Sequence, residues 1–91
     1  MSVPVIVMCD VSPRSGESSQ QLEARVPDLI KTTAHEVLDR YSAHIEDWNS
    51  SYAPKGEAFV ILFNWFIRER PVALDVGNFT KTAWNRAAWG E

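Results

Sequence analysis

Phe59-Val60-Ile61-Leu62-Phe63-Asn64-Trp65-Phe66-Ile67 is the stretch on which the fold turns. It is rich in aromatic and β-branched residues, and both alternating sets are apolar except at Asn64. That pattern predicts a strand covered on both faces. Upstream, Val3, Val5, Val7 and Cys9 alternate with Pro4, Ile6, Met8 and Asp10. Both sets are largely apolar up to Met8, which gives a second strand of the same kind. Downstream, Arg68 to Pro71 reads as a turn into a shorter strand, Val72 to Val76. Asn78 then caps a last helix, Phe79 to Trp89, stopped by Gly90.

The first two strands are separated by a long helical pattern. Ser12-Pro13-Arg14-Ser15-Gly16 has the chemistry of a turn, and Ser18 with Gln21 forms a capping box. The helix that follows carries Leu22, Val26, Leu29, Ile30, Val37, Tyr41 and Trp48 on a stripe about 120° wide. Pro27 lies inside it, where proline costs about 3 kcal/mol. The stripe keeps phase across Pro27, so a kinked continuous helix is expected; the alternative puts Pro27 in the first turn of a shorter one. Glu36 and Arg40 are paired on the outer face. Asn49 to Gly56 reads as a polar loop.

The expected fold is a single α+β domain over residues 1–91, in the order β-α-β-β-α. A strand-helix-strand unit predicts a right-handed crossover with parallel strands, hence a small mixed sheet backed by one long helix. The long helix covers one face, leaving Ile6, Met8, Val60, Leu62 and Phe66 on the other, of which the short C-terminal helix could cover only a part. Such a patch calls for a partner, and self-association through the sheet is the expected outcome.

Bulk composition narrows the function classes. The 91 residues carry nine Lys and Arg against twelve Asp and Glu, a formal charge of −3. A nucleic-acid role is disfavoured, because phosphate binding needs a basic stripe. No run approaches the roughly 20 apolar residues of a membrane span. The run Val3 to Met8 lacks the basic flank of a signal peptide, and Cys9 has no disulfide partner. A cytoplasmic protein, with neither membrane nor nucleic-acid partners, is expected.

Parallel strands would set Asp10, Ser12, Arg14, Ser15, Arg68, Glu69 and Arg70 beside the start of the long helix. Unpaired N–H groups there suit a carboxylate or phosphate, with Arg14 adding a bidentate contact. The competing reading is a solvated turn with ordinary surface arginines. Asn64 either orients a ligand or is satisfied by backbone and water. His35 and His44, nine residues apart on one helix, project from opposite faces, so no metal site is expected. His44 falls near the apolar stripe and reads as a core histidine. Cys9, beside Asp10, reads as an inert buried thiol. Trp84 and Trp89 are expected at an interface. No cofactor is implied.

Pro4-Val5-Ile6-Val7, then Pro13-Arg14-Ser15 and a helix entered at Gln21-Leu22, resembles the opening of the tautomerase superfamily. The resemblance covers roughly residues 4 to 40. It implies a trimeric or hexameric ring and acid–base chemistry on enolisable keto acids. In that reading Pro4 matches the catalytic proline and Arg14 the turn arginine that holds the substrate carboxylate, with Arg68 or Arg70 as a further anion contact. This sequence departs from the pattern at a decisive point: Pro4 lies inside a peptide bond, where its nitrogen has no basic lone pair. Non-catalytic binding, through the apolar sheet face and the C-terminal tryptophans, is the other function expected.

Overall fold

The computed structural model describes residues 2–90. Its elements are β1 (Val3–Val11), α1 (Ser19–Tyr41), β2 (Ile45–Lys55), β3 (Ala58–Ile67) and α2 (Arg70–Trp89). The chain is α+β, and the letters β-α-β-β-α recur, but the second strand is one not expected and the expected third strand is part of α2. The sheet runs β1-β3-β2, and β3 pairs antiparallel with both neighbours. β1 and β2 are therefore parallel to each other but separated by β3, a split β-α-β arrangement.

This corrects the mixed sheet. The helix does return the chain to a strand parallel to β1, as the crossover rule requires. That strand is β2, which lies in the stretch read as helix end and polar loop. A bulge between Ile45 and Asp47 hides it, because one extra residue breaks the two-residue alternation. Ile45 and Trp48 consequently face the core together despite their odd spacing. The β2–β3 hairpin closes at Gly56, whose φ of 64° meets the positive-φ requirement at the first turn position.

The capping box forms as expected, with Ser18 Oγ accepting from Gln21 N–H at 3.1 Å and the Gln21 side chain accepting from Ser18 N–H at 2.9 Å. α1 then runs unbroken through Pro27 but stops at Tyr41, not Trp48. Val72 to Val76 is not a strand. Pro71 sits at the start of α2, where it needs no N–H partner, and Val72 and Val76 fall one turn apart on its inner side. Gly90, at φ 76°, ends the helix as its sequence implies.

Two helices, not one, back the sheet, and both lie on the same face. Between them and the sheet sit Val7, Cys9 and Val11 from β1, Phe59, Ile61, Phe63, Trp65 and Ile67 from β3, and Leu22, Val26, Val37, Val76 and Trp84 from the helices. Phe63 and Trp65 stack with ring centroids 5.7 Å apart, and Trp48 stacks on Trp65 at 5.4 Å. Trp84 belongs to this core, at 1% exposure. Its expected place at an interface is corrected, since it lies on the inner face of α2. Trp89 remains exposed. Among the described residues no helix is long and apolar enough to cross a membrane.

Candidate functional site

Antiparallel neighbours share a face, so the register defines the side of the sheet opposite the helices. Its rows are Pro4–Phe66–Asp47, Ile6–Asn64–Asn49, Met8–Leu62–Ser51 and Asp10–Val60–Ala53. The β1 and β3 columns are mostly apolar, and the β2 column is mostly polar. Ile6 and Met8 are 62% and 61% exposed, while Val60, Leu62 and Phe66 are half-buried among their neighbours. Among the described residues no element covers this face. Asn64 lies at its centre, and its Oδ1 is shielded without a hydrogen-bond donor among those residues.

The expected anion site does not assemble. Because β1 and β3 are antiparallel, Val11 pairs with Phe59 and Val3 with Ile67. Arg14 thus follows one end of the sheet, while Arg68 and Arg70 follow the other, roughly 25 Å away at the rise of a strand. Pro4 sits at the Arg68 end, far from Arg14, with its nitrogen in the β1 backbone. Arg68 Nε lies 3.5 Å from Glu46 Oε1, and its NH1 donates to the Ala43 carbonyl at 3.3 Å. Arg70 is exposed at the first residue of α2.

At the start of α1 the chain supplies its own carboxylate, a feature the residue types alone did not single out. Glu17 accepts two bonds from the Arg25 guanidinium, both at 2.9 Å, and a third from the Arg14 backbone N–H at 3.0 Å. Bonding to Arg25 first, and to Arg14 second, holds the Glu17 carboxyl at about 2, below its ordinary 4.5. A depressed value stabilises the fold fully above pH 4.5, and the contribution is lost as pH falls toward 2. Glu17→Gln should therefore flatten the acid limb of the stability curve between those values. Midpoints from circular dichroism at pH 2 to 5 check this; an unchanged limb would show that the pair carries no linkage.

His44 is not on α1. It follows the helix end, half-buried, with Nδ1 3.6 Å from Glu69 Oε1, so the argument from two faces of one helix does not apply. His35 stays on the exposed side of α1. Cys9 is buried, and burial pushes its thiol up to about 11, with Asp10 adding to the rise and Lys81 opposing it. A thiol held there is almost wholly protonated at neutral pH and so a poor nucleophile.

No protein-family model, curated protein or solved structure matches this chain.

Proposed function

We propose that this chain is a non-catalytic assembly module, and that its open sheet face seats against the same face of a second copy. One observation carries the reading: both helices cover one side of the sheet and leave the apolar side bare. Soluble chains seldom expose contiguous apolar surface without a partner for it. The face resembles an interface, with a mostly apolar area on β1 and β3, interrupted by Asn64, and a polar margin on β2. Chemistry of the tautomerase kind has less support. It needs a basic nitrogen near a carboxylate-binding arginine, whereas Pro4 is acylated and distant from Arg14.

Leu62→Glu places a charge at the centre of the face without touching the helix side. Light scattering after size exclusion should show a smaller particle than wild type at micromolar concentration. An unchanged particle mass, with the variant folded by circular dichroism, would overturn the reading.

A further inference from the structure

Among the described residues the outer edge of β1 pairs with no other strand. In a central strand each residue turns both its N–H and its C=O toward one neighbour, alternating along the chain. Arg68 N–H donates to the His44 carbonyl at 2.8 Å, on the β2 side. Ile67 therefore faces β1, and so do Trp65, Phe63 and Ile61, which pair with Val5, Val7 and Cys9. The intervening β1 residues, Pro4, Ile6, Met8 and Asp10, turn their backbone groups outward to the free edge.

Two further features agree. Pro4, which has no N–H, falls in the outward series, where an edge strand tolerates proline. The Asp10 carbonyl accepts the Trp84 indole N–H at 3.1 Å, as an outward carbonyl can. The open positions are then the N–H and C=O of Ile6 and Met8, the Pro4 carbonyl and the Asp10 N–H.

The sheet's other edge is blunted in the ways that prevent strand addition: a bulge, Glu46 and Asp47 beside it, and Pro54 and Lys55 at the far end. β1 has no charge from Val3 to Cys9. The exposed large apolar residues Ile6, Met8 and Leu74 line one groove of about 390 Å³ between this edge and α2, floored at Gly77. Leu74 is 77% exposed there. Apolar residues thus flank the unpaired backbone on both sides, Ile6 and Met8 on the open face and Leu74 on the helix side.

We propose that β1 pairs antiparallel with β1 of a second copy about a twofold axis at Val7. In this register Ile6 and Met8 exchange both backbone bonds across the axis. Asp10 N–H donates to the opposite Pro4 carbonyl. The N–H that Pro4 lacks falls opposite the Asp10 carbonyl that Trp84 already satisfies, so the edge complements itself. Centring the axis on Ile6 leaves the Met8 carbonyl facing Pro4 with no donor. Centring it on Met8 points the Ile6 N–H at the engaged Asp10 carbonyl. Joined this way, two sheets present one continuous apolar face with a β2 strand at each margin.

The test separates edge from face. Ile6→Pro removes an outward N–H and no β1–β3 bond, as Pro4 already does, and keeps an uncharged apolar side chain on the open face, whereas Leu62→Glu puts a charge on that face and touches no edge N–H. Light scattering should give about 41 kDa for wild type, four times 10.3 kDa. Each single variant should give half that mass, and the double variant a quarter. A monomeric Leu62→Glu variant, or an Ile6→Pro variant of wild-type mass, overturns the edge pairing. A Leu62→Glu variant of wild-type mass overturns the face reading instead. Hydrogen exchange on the wild type, which needs no substitution, gives the second measurement. The Ile6 and Met8 amides should be protected in the assembled protein and exchange at least tenfold faster on dilution to monomer. Rapid exchange of both amides in the assembled protein overturns the pairing.

Discussion

Trp84→Ala should destabilise the protomer by about 3–5 kcal/mol, the range for truncating a buried aromatic residue. Trp84 is 1% exposed and meets Phe63 edge-on, with ring centroids 6.0 Å apart at 70°. Its removal opens a cavity between α2 and the sheet, because a packed core relaxes only in part. The lost indole N–H also leaves the Asp10 carbonyl without its donor. Domains of this size are stable by about 5–15 kcal/mol, so the loss is a large fraction of the whole. The melting midpoint should fall by roughly 12 °C or more. Trp84→Phe keeps most of the ring volume and should lose only about 1–2 kcal/mol, the hydrogen bond and a little packing. Urea titrations in the Ile6→Pro, Leu62→Glu background check both values without subunit dissociation entering. A Trp84→Ala loss below about 1 kcal/mol would mean that α2 does not pack on β1 as described.

The legible parts of the fold were those whose residues face one environment throughout. β3 lies in the middle of the sheet, so its aromatic and branched side chains announce it in the sequence. α1 declares its start through Ser18 and Gln21 and its inner face through Leu22, Val26, Leu29 and Val37. β2 was not legible. It is an edge strand with a polar open face, and its bulge destroys the period that marks a strand. Trp48 happens to fall in phase with the α1 stripe and so lengthened the apparent helix, although it stacks on Trp65 from β2. Val72 and Val76 fit a strand and a helix equally, and only Pro71 at a first helical turn distinguishes them.

The candidate surface divides in the same way. The bare face of Ile6, Met8, Val60, Leu62 and Phe66 follows from strands that are apolar on both sides, whichever way they run. The anion site depended on direction. With β2 hidden, the next visible strand after α1 was β3, and taking it as parallel to β1 joined arginines that lie at opposite ends. The free β1 edge was out of reach for a related reason: which strand lies outermost is a property of strand order, and no local pattern encodes it.

Pro27→Ala should stabilise the protein by about 2 kcal/mol, the helix cost of proline less its restraint on the unfolded chain. Proline in a helix interior costs about 3 kcal/mol, from a missing hydrogen bond and a ring set against the carbonyl four residues back. Here that carbonyl belongs to Glu23, and both Glu23 and Pro27 are exposed, so alanine removes no buried contact. α1 already runs unbroken through the site, and the backbone N–H that alanine restores would complete its ladder. The opposing term is the unfolded chain, which gains about 0.4–1 kcal/mol of freedom when proline is lost. The helix term is larger, so the sign is set by the folded state. Thermal and urea midpoints in the monomeric background should both rise, with an unchanged urea slope. A less stable variant would overturn this sign and mean that the Pro27 ring contributes more to the packing of α1 than its missing hydrogen bond costs.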